Sequence, residues 1–310
     1  MSRPVGVVDC GTNSIRLLVT DGSNDLERRA TITRLGGGVD RTGRLDPAGI
    51  DRTVDALETY RTLLDHHGVE PVRVIATSAS RDAANRDEFF ARAETAIGAT
   101  PELLTGEQEA EAAFGGATAD LDASDGPFCV IDLGGGSTEF AIGTTSLDQV
   151  LSLDMGSVRF TERYVEHDPP RPEELVACLS VAEAHLTDVV REMPDIAETR
   201  TFIGVAGTIT TMAAVEIGLH TYDPERIHRF ELTRSAAEDV YRTLVTEAFD
   251  DRVHNPGLPR ERAEVIVGGS AIVVAIMRYF GIDPLVVSER DLLDGLAAGL
   301  LVGNVGSDAP

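Results

Sequence analysis

The sequence predicts a duplicated α/β fold, with two domains set around a central cleft. Three observations predict it: the length of the chain, an internal repeat, and short apolar strands alternating with helices. At 310 residues the chain exceeds what one hydrophobic core usually serves, so two domains are expected. Residues 8–19 (VDCGTNSIRLLV) can be laid on residues 131–142 (IDLGGGSTEFAI). Asp9, Gly11 and Ser14 then coincide with Asp132, Gly134 and Ser137, and β-formers flank both turns. The offset is the size of one domain, which favours duplication over coincidence. Segments 74–78 (VIATS), 202–208 (FIGVAGT) and 265–270 (VIVGGS) each read as an apolar strand running into small residues and a helix. That alternation belongs to α/β folds whose ligands sit at strand ends.

The elements follow in order. Each repeated segment reads as a hairpin of two strands about a small polar turn. Asp46 caps a helix with Pro47 at its first position; Ile50, Val54, Leu57 and Leu64 form its buried face and Gly68 stops it. Residues 115–127 (GGATADLDASDGP) are small, acidic and turn-rich and mark the boundary between domains 1–121 and 128–290. The Pro-rich break at 168–172 precedes a helix with Leu175, Leu179, Ala182, Leu186 and Val190 spaced for burial. Ser235 and Glu238 form a capping box for a helix running toward Phe249. A last helix, 291–303, crosses back to join the first domain as a hinge strut.

Composition narrows the function classes. Asp and Glu number 52 against 27 basic residues, a net charge of −25, and every one of those cations is Arg. A field of that sign repels nucleic acid and anionic lipid. Surface adaptation to high salt, or a GC-rich genome favouring Arg codons, explains it without invoking a ligand. No apolar run is long enough for a membrane span, and the acidic residue at position 9 comes too early for a signal-peptide core, so a cytoplasmic location is expected. Cys10, Cys129 and Cys178 lack metal-type spacing, and the histidines are scattered, so neither disulfides nor zinc are expected.

The turns carry the chemistry. Consecutive glycines at 134–136 allow close backbone approach, so several N–H groups can converge on phosphate oxygens. Ser137 and Thr138 add hydroxyls. Asp132 at the strand end can hold Mg²⁺ or its waters, and Glu139 can supplement that shell. The first hairpin offers Gly11, Thr12, Asn13 and Ser14 as donors, with Asp9 as a further metal ligand. The chain has no GxxxxGK[ST], so a P-loop is excluded. Arg81, just past the strand at 74–76, can fork onto a phosphate or simply lie on the surface. Glu107, Glu109 and Glu111 open another helix, where acidic residues are expected on dipole grounds alone. Spacing does not choose a general base among them.

Six segments in order, DCGTNSIRL, ATSASRDAAN, TGEQEAEAAF, DLGGGSTEF, GVAGTITTMAA and SERDLLDGLAAGLL, resemble the exopolyphosphatase/guanosine pentaphosphate phosphohydrolase family over nearly the whole chain. The resemblance implies the duplicated actin-like (ribonuclease H-like) fold. It implies Mg²⁺-dependent, or Mn²⁺-dependent, release of terminal orthophosphate from inorganic polyphosphate, and a homodimer. By position, Glu109 matches the family's water-activating base and Arg81 a phosphate-binding arginine. Asp132, Gly134, Gly135 and Ser137 match the second phosphate loop and Asn13 and Ser14 the first. Glu139 matches an acidic residue near the metal, and Arg262 loosely matches a further phosphate-contacting arginine. Where the family commonly reads Glu-Glu-Ala, this chain has Gln108-Glu109-Ala110, which keeps the implied base. Longer members carry further C-terminal domains, and this chain is expected to have only the two. Three alternatives share the same centre: hydrolysis of guanosine pentaphosphate, a kinase of the same fold, and a non-catalytic sensor of polyphosphate or nucleotide.

Overall fold

The computed structural model describes residues 3–305, which divide into two compact units. The first takes the chain up to Ala112 together with the stretch from Leu292 onward. Its β1 (Val5–Cys10) is buried at every position, as a central strand with both faces covered must be. It pairs antiparallel with β2 (Ser14–Thr20), Asp9 facing Arg16 and Cys10 facing Ile15. On β2 lies β3 (Asp25–Ile32), also antiparallel. The short α1 (Val39–Thr42) and the long α2 (Pro47–His66) follow. The Asp46 side chain accepts the Gly49 N–H at 3.2 Å, satisfying one of the orphan donors of the α2 N-terminus. Ile50, Leu57 and Leu64 are buried, and Gly68 is left-handed at φ 63° just past the end. After α2, β4 (Val72–Ala76) returns parallel to β1, with Asp9 beside Ile75. Then come α3 (Ser78–Asp82), α4 (Arg86–Ile97), β5 (Glu102–Leu103) parallel to β4, and α5 (Gly106–Thr118). The sheet order is β3-β2-β1-β4-β5.

The second unit, Ala113–Asp291, repeats that plan. Here β6 (Phe128–Leu133) and β7 (Thr138–Gly143) form the hairpin, with Asp132 facing Glu139. β8 (Leu147–Leu153) lies on β7 and leads into α6 (Ser157–Tyr164) and α7 (Pro172–Glu192). β9 (Thr201–Val205) returns parallel to β6, with Val205 beside Asp132, and runs straight into α8 (Ala206–Ile217). α9 (Pro224–Ile227), β10 (Glu231–Leu232), α10 (Arg234–Thr246), α11 (Phe249–Arg252), α12 (Ile266–Phe280) and β11 (Leu285–Val287) complete it. The order β8-β7-β6-β9-β11 matches β3-β2-β1-β4-β5 strand for strand, with β10 added at the edge. The last helix, α13 (Leu292–Val305), packs on β1 and β2 of the first unit. Gly295 presses on the Ala112 carbonyl there, where a Cβ would come within 2.0 Å of the oxygen.

Four sequence expectations are corrected. Residues 265–270 are not a strand: Ile266 opens α12, whose residues Ile266–Met277 are all buried. A helix apolar on every side shows no periodicity, so it reads like a buried strand. The turn-rich segment 115–127 starts inside α5, which runs to Thr118. α10 is capped by Thr233, whose side chain accepts the Ala236 N–H, and it ends at Thr246; Glu238 pairs instead with Arg278 at 2.8 Å. On α7 the buried line is Cys178, Ala182, Leu186 and Val189, while Val190 is 45% exposed, one step around the helix from the core.

Candidate active site

In each unit the parallel strands end at one edge, and the segments that follow them carry the polar residues singled out above. In the second unit β6 runs into the loop Gly134–Ser137. Three of its carbonyls are drawn backward onto the N-terminus of α6. The Gly134 carbonyl accepts from Ser157 N–H at 3.0 Å, and the Gly135 carbonyl from Val158 and Arg159 N–H at 2.9 and 3.1 Å. The Gly136 carbonyl accepts from the Arg159 Nε–H at 2.8 Å. In a trans peptide the C=O and the next N–H point in opposite directions. Turning three carbonyls back therefore turns the N–H groups of Gly135, Gly136 and Ser137 forward, as a nest for an anion. Gly156 permits the contact: a Cβ there would sit 2.4 Å from the Gly135 oxygen.

Thr138 is corrected from donor to anchor. It is fully buried, and its hydroxyl donates to the Met155 carbonyl, so its proton is spent inside the fold. Arg262, read as preceding a strand, lies in a 3₁₀ turn (Arg260–Arg262) ahead of α12. Its guanidinium lies against Gly207 at the start of α8, where a Cβ would come within 1.8 Å of it. Because β9 lies beside β6 in parallel, this start of α8 leaves the sheet at the same edge as the loop. Ala206, at the strand–helix turn, holds φ 69°, a strained conformation for a residue with a side chain.

The first unit repeats the loop with other partners. The Thr12 carbonyl accepts from Gly36 N–H at 2.8 Å, and the Asn13 carbonyl from Thr33 and Arg34 N–H at 3.1 and 2.9 Å. The N–H groups of Asn13 and Ser14 are turned forward by the same logic. The Asn13 side chain is nine-tenths buried, with Oδ1 lacking a hydrogen-bond partner among the described residues. A buried amide oxygen in that state marks a place where a ligand or solvent belongs. On the adjacent parallel strands, β4 delivers Arg81 and β5 delivers Glu109. Arg81 Nη1 donates to the Leu104 carbonyl at 2.8 Å and to Glu109 Oε1. Of the three glutamates opening α5, Glu109 alone is buried; Glu107 and Glu111 are exposed. Thus the structure distinguishes Glu109 where spacing did not.

The carboxylates read as metal ligands fall into two different environments. Asp9 Oδ2 accepts from Arg16 Nε at 3.0 Å and Nη2 at 2.8 Å, across the hairpin. The negative charge of Asp9 is felt next door: the Cys10 thiol is pushed up by burial first and by Asp9 second. At the corresponding place in the second hairpin, Asp132 faces Glu139, both more than nine-tenths buried. Glu139 Oε1 also accepts from Ser152 Oγ at 2.8 Å. Two buried carboxylates on facing strand positions repel one another, and hard oxygen donors of this kind suit Mg²⁺ or Mn²⁺, which keep several water or substrate ligands. The Asp132–Glu139 pair fits such an ion, and Asp9, with Arg16 on one oxygen, fits it less well. Among the described residues, a group of three with ligand spacing is formed by Glu166, His167 and Glu174. There Glu174 already accepts from Arg171 and Glu166 N–H and meets His167 Nδ1 at 2.7 Å, as the capping box of α7.

Arg159 and Gly156 were not legible as site residues. Their partners lie more than twenty positions away in sequence, and only the strand–Gly–helix pattern after β8 hinted at them.

Comparison with known proteins follows the same outline. The model of the Ppx/GppA phosphatase family matches residues 18–303. Exopolyphosphatase 2 of Mycobacterium tuberculosis is 40% identical, covering 96% of this chain and 98% of that protein. A guanosine-5'-triphosphate,3'-diphosphate pyrophosphatase of Aeromonas hydrophila is 30% identical, over 97% of this chain and 60% of that one. Among solved structures, an exopolyphosphatase-like protein superimposes with a TM-score of 0.93 at 33% identity, covering 97% of this chain and 99% of that one. A Ppx/GppA family member of Aquifex aeolicus does so at 0.77 and 32% identity, covering 99% of each.

Proposed function

The chain belongs to the Ppx/GppA phosphatase family, and we propose that it is an exopolyphosphatase, releasing terminal orthophosphate from inorganic polyphosphate. The observation that carries this is the pair of forward-facing amide nests on duplicated hairpins, together with the buried Glu109 held by Arg81. Preference for polyphosphate is supported by the 40% identity to the mycobacterial exopolyphosphatase, across 96% of this chain and 98% of that one.

In this reading the amides of Gly135, Gly136 and Ser137 hold phosphoryl oxygens in the second unit. Those of Asn13 and Ser14, with Arg81, do so in the first. Glu109 takes the proton from the attacking water. Positioning and charge stabilisation supply most of the acceleration in phosphoryl transfer, and a general base adds typically about 10²–10⁴-fold. Asp132 and Glu139 would hold Mg²⁺ or Mn²⁺, which when bound draws charge from the phosphate oxygens. Arg262, at the start of α8, extends the cationic surface available to an anion in the second unit. A cytoplasmic location and a homodimer belong to the same reading and rest on the family resemblance. Among the described residues no helix is long and apolar enough to cross a membrane. Light scattering of the purified chain, 33.1 kDa per protomer, tests the dimer.

The deciding experiment compares kcat/KM on long-chain polyphosphate and on guanosine pentaphosphate under one set of conditions. A higher value on polyphosphate is expected. A higher value on guanosine pentaphosphate would move the chain to the other branch of the family, and absence of phosphate release from either would favour a sensor.

A further inference from the structure

The two hairpins hold their loops by different means. In the first unit the Asn13 carbonyl is held by two backbone amides, Thr33 and Arg34, the latter reached with φ at 51°. In the second unit the equivalent carbonyl, Gly136, accepts from a side chain, the Arg159 Nε–H at 2.8 Å. The backbone cannot serve there, because the segment after β8 has already begun α6 at Ser157, and its free amides are spent on Gly134 and Gly135. Arg159 is buried, and its Nη2 lies 3.7 Å from the exposed Asp154.

We propose that Arg159 is a positioning residue for the second phosphate loop: its Nε–H, rather than its charge, fixes the Gly136–Ser137 peptide so that the Ser137 N–H faces the phosphoryl group. Without that bond the peptide plane is free to rotate, since glycine at 136 tolerates most φ, ψ values. The Ser137 amide is then lost to the substrate. The inference rests on the phosphate-holding role proposed for this loop.

Three substitutions separate the Nε–H from charge and bulk. Arg159→Gln places an N–H donor the same number of bonds from Cβ as the arginine Nε, and removes the charge. Arg159→Lys keeps the charge but puts a methylene at that place. Arg159→Met keeps comparable bulk with neither. Two readouts are taken on each purified full-length variant with Mg²⁺: KM and kcat on long-chain polyphosphate, and calorimetric binding of inorganic tripolyphosphate. The Lys and Met variants are expected to raise KM and the dissociation constant by about tenfold, the loss of roughly one hydrogen bond to a charged group. Their kcat is expected to stay within about threefold, because an amide that binds ground and transition states alike is read in KM. Arg159→Gln is expected to lie within about threefold of wild type in both.

A merely structural role would lower the active fraction, reducing kcat at unchanged KM, and would treat Gln no better than Met. Either of those results, or wild-type binding by the Lys variant, overturns the proposal. Should Met fail to fold, the Gln–Lys comparison decides alone. If the wild-type protein binds tripolyphosphate but releases no phosphate, the proposed activity fails while the role of Arg159 is still read from binding. If it binds no tripolyphosphate, both fail.

Discussion

Replacing Glu109 by Gln tests the base and its ion pair in one variant, with effects of opposite sign on turnover and binding. The change conserves volume, so the packing of a residue that is 7% exposed is kept. Glutamine does not accept the water proton, so kcat should fall by about 10²–10⁴-fold. Arg81 gives the second effect. In wild type its Nη1 donates to Glu109 Oε1, so an incoming phosphate must compete with a carboxylate for the guanidinium. A hydrogen bond to a charged group contributes about 1.5–3 kcal/mol, and the Arg81 side chain is 25% exposed, which lowers that toward about 1 kcal/mol. Part persists, because the Gln amide oxygen still accepts. Freeing Arg81 should therefore tighten binding by about two- to fivefold. Phosphate release on polyphosphate gives the first number, and calorimetric titration with tripolyphosphate and Mg²⁺ gives the second. A kcat within tenfold of wild type would remove Glu109 from proton transfer. Weaker binding would show that Glu109 orders Arg81 for the substrate instead of competing with it.

Three further outcomes are expected. Gly156→Ala sets a Cβ 2.4 Å from the Gly135 oxygen; it should cost about 1–3 kcal/mol in thermal unfolding and raise KM, and an unchanged KM would separate α6 from the loop. The His228 pKa is lowered from 6.5 by burial first and by Arg229 second, so the unfolded chain takes up its proton before the folded one does; stability present above about pH 6.5 is lost as pH falls below it, and His228→Gln should flatten a plot of Tm against pH over that range. With a net charge of −25, self-repulsion should be relieved by salt: Tm should rise by about 5 °C or more as KCl goes from tens of millimolar to molar, where the Debye length shrinks to about 3 Å. A Tm that falls with KCl would show that ion pairs, not repulsion, dominate the surface.

The hairpins were legible because a strand, a small polar turn and a strand leave a local pattern, and because the pattern occurs twice. α2 was legible for the same reason, since Asp46, Pro47 and Gly68 act through their immediate neighbours. What failed was set by tertiary context. Residues 265–270 are apolar because α12 is enclosed on all sides, and no period survives in such a run. Ser235 offers the same capping chemistry as Thr233 two positions earlier, and the choice falls to Thr233 where α10 begins. In the site, sequence found the residues that line the loops but not those that aim them. Arg159 acts on a carbonyl 23 residues away, and a lone Arg on an amphipathic helix otherwise reads as surface. Among the three glutamates, burial on the inner face of α5 supplied what spacing lacked.

The duplication also explains why Asp9 and Asp132 looked alike and do not behave alike. Both lie one residue before the end of a central strand and two before a glycine, and both face the second residue past the serine on the neighbouring strand. That facing residue is Arg16 in one half and Glu139 in the other. One substitution at a repeated position changes the local charge by two units, from a neutral ion pair to a pair of anions. A neutral pair with one carboxylate oxygen engaged has less to gain from a divalent cation than two facing carboxylates, which gain relief from repulsion when one binds. In the proposed function, the divergence would direct the cation to the second hairpin and leave the first to hold phosphate by amides and Arg81. The same two copies differ in how their loops are aimed, by backbone at Asn13 and by a guanidinium at Gly136. Duplication supplied two equivalent nests, and the residues at positions 16, 139 and 159 made them unequal.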